Sequence, residues 1–121
     1  MKKKVLVIGA SENESRYSNM AIKMLLEYGY DTTAFGLRKG KVESIPITNE
    51  WDFKGKVFDT VTLYIGPQNQ GDYLEKIIAL NPNRVIFNPG TENNAFRKML
   101  ENAGIETLEA CTLVMLRTRQ F

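Results

Sequence analysis

Short strand-like runs alternate with helical stretches along this 121-residue chain, and this alternation constrains the fold more than any other feature. Residues 5–8 form a continuous run of valine, leucine and isoleucine that ends at Gly9, a pattern typical of a strand buried on both faces of a parallel sheet. Further strands are expected at 30–35, 60–65, 84–87 and 105–108, and helices at 18–28, 72–80 and 91–103. The alternation predicts an α/β fold: a doubly wound parallel sheet of about five strands with helices on both faces.

Glycines and polar residues mark the expected helix ends. Gly29 and Gly104 are expected to end two of the helices, and Thr91 is the candidate N-cap of the last. Residues 37–56 have no steady period and predict a long connection with one short strand or none, whereas residues 111–116 are apolar enough to pack. The residues expected to face the core from the helices are Met20, Met24, Leu25, Tyr28, Tyr73, Leu74, Ile77, Ile78, Phe96, Met99 and Leu100.

Length and charge limit the class of protein. We expect one domain over residues 1–121, with 43% apolar residues available for its core. A net charge of +2 falls far short of the basic surface of a nucleic-acid-binding domain, and the apolar run at 5–8 is too short for a signal peptide or a membrane span. We therefore expect a cytoplasmic protein with no nucleic-acid or membrane partner, and the sequence leaves a homodimer open.

The sequence contains no histidine, and so lacks the usual base near neutral pH and the commonest metal ligand. Ser-His-Asp and Cys-His hydrolases are excluded. The one cysteine, Cys111, cannot form an intramolecular disulfide or a thiolate zinc site, and its apolar neighbours predict a buried, inert thiol. The carboxylate pairs Glu12 with Glu14 and Glu106 with Glu109 are expected to be solvated. We therefore expect no catalytic residue and no metal.

The loops at the carboxyl ends of the strands are the expected ligand site, because doubly wound folds bind ligands there, where the strand order reverses. These loops are residues 9–17, 36–41, 66–70 and 88–91.

The first loop joins a strand to a helix N-terminus, which offers unpaired N–H groups to a phosphate. It contains only Gly9 of the G-x-G-x-x-G pattern, but Ser11, Ser15, Arg16 and Ser18 suit a pyrophosphate. The alternative is that Gly9 merely turns the chain and Ser18 caps the helix.

The second loop lacks the acidic residue that NAD-binding domains place after the second strand. Arg38, Lys39 and Lys41 stand there instead, between and beside Gly36 and Gly40. Three cations suit a phosphorylated ribose, as in NADP or the 3′-phosphate of coenzyme A (CoA). The alternative is a solvated charged loop.

The remaining loops supply lining rather than chemistry. Gly66-Pro67 and Asn88-Pro89-Gly90 bring backbone close to the crevice with few side chains, although each is also ordinary turn composition. The aromatic side chains available to stack on an adenine are Tyr17, Phe35, Trp51 and Tyr64, of which Phe35 adjoins the second loop.

Taken in order, these segments resemble one known family. They are Gly9-Ala10-Ser11, Ser15-Arg16-Tyr17-Ser18-Asn19, Leu25-Leu26-Glu27-Tyr28-Gly29-Tyr30, Arg38-Lys39-Gly40, Gly66-Pro67, Asn88-Pro89-Gly90 and Cys111. The chain resembles the small stand-alone CoA-binding proteins, Rossmann-like domains similar to the CoA-binding half of the succinyl-CoA synthetase α subunit. It departs from their pattern at Gly36-Leu37, where the family has Asn-Pro, and in the connection 41–56.

The resemblance implies reversible, non-catalytic binding of CoA or an acyl-CoA. By resemblance, the residues near the pyrophosphate would be Ala10, Ser11, Arg16 and Ser18, in the loop that begins at Gly9. Arg38 and Lys39 would lie near the 3′-phosphoadenosine, and Gly66, Pro67, Asn88, Pro89 and Gly90 would flank the pantetheine. Two alternatives stay open: an NADP-binding redox or sensor domain, and a regulatory or structural domain that has lost its ligand.

Overall fold

A computed structural model describes residues 3–121, which form a seven-stranded sheet covered by four α-helices. The strands are β1 (Lys4–Ile8), β2 (Asp31–Phe35), β3 (Gly40–Val42), β4 (Ile45–Thr48), β5 (Thr60–Leu63), β6 (Arg84–Phe87) and β7 (Glu106–Glu109). The helices are α1 (Tyr17–Glu27), α2 (Leu74–Leu80), α3 (Asn94–Asn102) and α4 (Thr112–Arg117), with short 3₁₀ turns at Pro67–Asn69 and Gly71–Tyr73.

The sheet runs in the order β3-β4-β2-β1-β5-β6-β7, and only the pairing of β3 with β4 is antiparallel. The chain starts in the middle, moves to one edge through β2 and the β3–β4 hairpin, and returns to β5 on the other side of β1. The order therefore reverses between β1 and β5, and the loops after these two strands leave in opposite directions.

Helices lie on both faces, as predicted, because β1 sends alternate side chains to each. Val5 and Val7 pack with α1 and α4 on one face, whereas Leu6 and Ile8 pack with α2 and α3 on the other. All four side chains are fully buried, which confirms β1 as a strand covered on both faces. None of the helices within residues 3–121 has the length and apolar character of a membrane span.

The expected count of about five strands is wrong, because the connection 37–56 contains the hairpin of β3 and β4. The two-residue turn uses Glu43 at a φ of 54°, and no Asn-Gly or Asp-Gly marks it in the sequence. Pro46 also lowers the strand signal, since it cannot donate to a sheet hydrogen bond. Val42 and Ile47 nevertheless point into the core, and their burial stabilises the hairpin.

Two helix N-caps differ from the sequence-based assignments. Among residues 3–121 no side chain caps α1, whose N-cap residue is Arg16, so the alternative reading in which Ser18 caps this helix is wrong. Helix α3 begins at Asn94 and is capped by Asn93, whose side chain accepts from the Phe96 N–H at 3.1 Å, not by Thr91.

Two expected core residues are exposed. Met20 is 38% and Met99 53% exposed, because the helices turn neighbouring stripes inward. In α1 that stripe contains Ala21 and Ile22, whose fully buried side chains allow close approach to the sheet. The expected packing of 111–116 is confirmed, since α4 buries Leu116.

An aromatic cluster replaces a helix over one part of the sheet. The segment between β4 and β5 crosses the face of β2 without forming a helix, and it carries Trp51, Phe53 and Phe58. The Phe35 ring lies 5.1 Å from the ring of Trp51 and 5.8 Å from that of Tyr73, both edge to face. These contacts hold the irregular segment against the sheet.

Candidate functional site

The loops after β1 and β2 are packed against each other at the carboxyl edge of the sheet. The N–H groups of Gly9 and Ala10 both donate to the Phe35 carbonyl at 2.9 Å. Gly9 has a φ of 96°, and a Cβ there would lie 2.9 Å from the Tyr64 carbonyl. A Cβ on Gly36 would overlap the Ala10 carbonyl oxygen. The backbone of the first loop therefore follows a path that only glycines permit.

The polar side chains of the first loop hold its shape. The Ser11 hydroxyl accepts from the Asn13 N–H at 3.1 Å, and Asn13 Oδ1 accepts from both the N–H and the hydroxyl of Ser15. Asn19, which is 2% exposed, donates from Nδ2 to the Ser11 carbonyl at 3.0 Å. Its Oδ1 is buried and has no hydrogen-bond partner among residues 3–121. The sequence alone predicts no separate role for Asn19, because its hydrogen bond depends on how the loop folds.

The N-terminus of α1 is open at the end of this loop. No side chain caps the helix, no acidic residue lies in its first turn, and the Arg16 side chain is exposed. The unpaired N–H groups of a helix start, with a guanidinium beside them, can bind a phosphate. Ser18 is 3% exposed, so its hydroxyl lies beneath this surface rather than on it.

Residues 37–41, called the β2–β3 turn below, include the start of β3 and present three exposed cations, Arg38, Lys39 and Lys41. The ion pairs found within residues 3–121 join Lys23 to Glu14 and Arg97 to two glutamates, so none of the three cations is in one. Glu12 reaches this turn from the first loop, and its Oε2 accepts from the Lys41 N–H at 3.0 Å. The structure thus brings the two predicted phosphate loops together.

Phe35 does not face these loops with its ring. The residue is 7% exposed, and its ring packs in the aromatic cluster on the sheet face. What Phe35 contributes to the edge is its carbonyl, which fixes the start of the first loop. Its proposed stacking on adenine stays a prediction that would require the cluster to open.

Gln70 joins the loops after β5 and β6, although nothing in the sequence predicts this role. Its side chain is fully buried, with Nε2 donating to the Ile65 carbonyl at 3.0 Å and the Thr91 carbonyl at 2.7 Å. Its Oε1 accepts from Asn93 Nδ2 at 3.1 Å. Glutamine is usually exposed, so no sequence signal marks this position.

The predicted lining residues of these loops divide into two groups. Pro67, Pro89 and Gly90 are exposed, Gly66 is half-buried, and the Gly90 N–H donates to Glu92 Oε1 at 2.9 Å. Asn88 is 1% exposed instead, so its side chain belongs to the core. Asn88 Nδ2 donates to the Thr62 hydroxyl at 2.6 Å, and its Oδ1 accepts from the Thr112 N–H at 2.9 Å.

Tyr64 lies beside this network without joining it. The Thr62 and Thr112 hydroxyls are 2.8 Å apart, but the buried Tyr64 hydroxyl makes no hydrogen bond of normal geometry within residues 3–121. Burial raises the pKa of Tyr64 to about 12, although the nearby hydroxyls of Thr112 and Thr62 act in the opposite direction. Cys111, next to Thr112 at the start of α4, is half-buried rather than fully buried as expected.

A separate cavity of about 350 Å³ lies over the sheet face, between β2, β4 and the segment 50–56. It is lined by threonines and by both acidic and basic side chains, among them Glu50, Asp52 and Lys56. Among residues 3–121, no group of three or more Cys, Asp or Glu side chains is arranged to hold a metal ion.

The fold and its carboxyl-edge loops define a Rossmann-like α/β domain. The pattern of the family described as CoA binding domain matches residues 3–117. The chain therefore belongs to the CoA-binding domain family, which implies a small nucleotide ligand. This match does not support NADP as the cofactor.

Solved structures agree in fold. An uncharacterized protein with a crystal structure is 42% identical in sequence, with a TM-score of 0.94 over 100% of this chain and 99% of its own. A protein from Thermus thermophilus is 26% identical, with a TM-score of 0.85 over 99% of this chain and 91% of its own. A hypothetical protein from Pyrococcus horikoshii OT3 is 25% identical, with a TM-score of 0.86 over 98% of this chain and 84% of its own. No curated protein sequence matches significantly.

Proposed function

We propose that this protein binds CoA or an acyl-CoA reversibly at the carboxyl edge of its sheet and performs no chemistry on it. The observation that carries the proposal is the uncapped start of α1, with Arg16 exposed beside it, next to the unpaired cations of the β2–β3 turn. Two phosphate-binding features at neighbouring loops match a ligand that carries both a pyrophosphate and a ribose phosphate. Membership of the CoA-binding domain family supports CoA as that ligand.

Arg16 and Phe35 do not close this edge of the sheet. Arg16 is exposed, and the Phe35 ring packs in the aromatic cluster on the sheet face. This favours a retained ligand over a domain that has lost one.

The side chains available support the non-catalytic part of the proposal. The sequence has no histidine, and Cys111 is a lone thiol at the start of α4 with the hydroxyl of Tyr64, raised in pKa, nearby. Cysteine nucleophiles in enzymes are usually activated by a neighbouring base, most often histidine, which this sequence lacks.

Isothermal titration calorimetry with CoA and acetyl-CoA tests the proposal. We expect Arg16→Ala and Arg38→Ala each to weaken binding about tenfold or more, because a hydrogen bond to a charged group contributes about 1.5–3 kcal/mol. Lys98→Ala is the matched control, since it removes an exposed cation from α3.

Two results would contradict the proposal. The first is the absence of heat from either ligand at millimolar concentration. The second is an equal loss in Lys98→Ala, which would indicate non-specific attraction to positive charge. Release of free CoA from acetyl-CoA by the purified protein would overturn the non-catalytic part alone.

A further inference from the structure

One carboxylate crosses from the first loop into the cationic turn. Glu12 Oε2 accepts from the Lys41 N–H at 3.0 Å, across 29 positions in the chain. The Glu12 side chain also fills the space that a Cβ on Gly40 would need, so this glycine makes room for the carboxyl group. Residues 37–41 contain no acid of their own.

The Glu12 carboxylate lies where an anionic group of a ligand would bind. A backbone N–H flanked by Arg38, Lys39 and Lys41 is the kind of group that binds phosphate oxygens. Glu12 already uses that N–H, and its negative charge repels a phosphate placed beside it. A ribose with free hydroxyls is instead attracted to Glu12, because hydroxyls can donate hydrogen bonds to a carboxylate, as they do in dinucleotide-binding domains.

We propose that Glu12 is a specificity-determining residue that competes with the ribose phosphate of the ligand for the β2–β3 turn. This inference rests on the proposed CoA function. Glu12 lowers the affinity for CoA relative to dephospho-CoA, which is the same molecule with a free ribose 3′-hydroxyl. The turn therefore discriminates less in favour of the phosphate than its three cations alone would.

Glu14 provides a matched control in the same loop. Its carboxylate is bonded to Lys23 Nζ at 3.0 Å, away from the turn. Glu14→Gln makes the same change in net charge as Glu12→Gln, without altering what contacts Lys41. Glu12→Gln keeps an oxygen able to accept from the Lys41 N–H and so preserves the loop, whereas Glu12→Ala frees the N–H as well.

The test is calorimetric titration of CoA and dephospho-CoA into the wild type and these three variants at one ionic strength. We expect the ratio of CoA affinity to dephospho-CoA affinity to rise about fivefold in Glu12→Gln, the size of a partly exposed charge interaction. The ratio should rise at least as far in Glu12→Ala and stay within about twofold of the wild type in Glu14→Gln.

The outcomes separate this inference from the proposed function. If the wild type binds CoA and the ratio is unchanged in both Glu12 variants, the role of Glu12 is overturned while CoA binding stands. An equal rise in Glu14→Gln also overturns it, because the effect would then be one of net charge. If neither the wild type nor the Glu12 variants bind either ligand, both proposals fail. CoA binding that appears only in the Glu12 variants would support the competition while contradicting the proposed function of the wild type.

Discussion

The hydroxyl groups at the carboxyl end of β5 differ in how well they are bonded. Thr62 accepts from Asn88 and bonds to Thr112, whereas the Tyr64 hydroxyl is equally enclosed but lacks a well-aligned partner in the described chain. A buried polar group without a hydrogen bond costs about 1–3 kcal/mol. We therefore expect two hydroxyl groups only two residues apart in the chain to have opposite effects on stability.

Removing the two hydroxyls separates these effects. We expect Tyr64→Phe to leave the free energy of unfolding unchanged or to raise it by about 1 kcal/mol, because no bond is lost. Thr62→Val should lower it by about 1–3 kcal/mol, because Asn88 and Thr112 each lose a partner. Urea unfolding at neutral pH measures both. A clear loss in Tyr64→Phe would mean that its hydroxyl is bonded in solution.

Asp59 gives the protein a dependence on acid pH. Partial burial alone would raise the pKa of its carboxyl, but hydrogen bonds from Thr60 and Asn83 and the charges of Lys3 and Arg84 together bring the pKa below its usual value. The charged carboxylate therefore stabilises the fold above the unfolded pKa of about 3.9, and this contribution is lost as the pH falls through the lower, folded pKa.

Asp59→Asn should remove this dependence. We expect the variant to be less stable than the wild type at pH 7, with the difference shrinking below about pH 4 as the wild-type carboxylate is protonated. Chemical unfolding at a series of pH values measures the difference. Asp72→Asn changes an exposed carboxylate and is the control; a matching pH profile there would assign the effect to net charge.

At the scale of elements, the five strands that alternate with helices are easier to predict than the helix ends. The boundaries of β6 match the prediction, since its four residues are all buried and form a continuous apolar and β-branched run after Arg84. The predicted start of α3 is wrong because Thr91, Asn93 and Asn94 all have side chains that can cap a helix. Only tertiary contacts determine which of them does so. Thr91 instead donates from its hydroxyl to the Asn88 carbonyl at 2.8 Å.

The cap of α3 can be tested directly. Asn93→Ala should lower the free energy of unfolding by about 1 kcal/mol or more, because the Phe96 N–H and Gln70 Oε1 both lose a partner. Asn94→Ala, at the exposed first residue of the helix, should change it by less than about 0.5 kcal/mol. Thermal unfolding compares them, and equal shifts would rule out Asn93 as the cap.

Over the whole molecule, one buried side chain ties the loop after β5 to the loop after β6. Gln70→Leu would leave the Ile65 and Thr91 carbonyls and Asn93 Nδ2 without their partner. We expect the free energy of unfolding to fall by about 2 kcal/mol or more, since buried groups lose their bonds. Gln68 is exposed in the same loop, so Gln68→Leu should have little effect. An equal loss of stability in Gln68→Leu would show that the buried hydrogen bonds of Gln70 do not account for the effect.

The grouping of the four candidate loops at one edge follows from the sequence, but the contacts within and between them do not. Parallel strands end at one edge, so the four loops could be placed together from the order of elements alone. The inward turn of Asn88, the ring of Phe35 in the aromatic cluster and the reach of Glu12 to Lys41 depend on residues distant in the chain. No local pattern encodes them, because each is decided by which neighbours the fold supplies.

The aromatic cluster also links the candidate binding edge to the intrinsic fluorescence of the protein. Trp51 is the one tryptophan of the chain, and its ring touches that of Phe35, whose carbonyl holds the first loop through Gly9 and Ala10. Lys76 Nζ lies 5.6 Å from the centre of the indole ring, so the fluorophore already senses a nearby charge. A ligand that shifts the first loop should therefore change the intrinsic emission of the unlabelled protein.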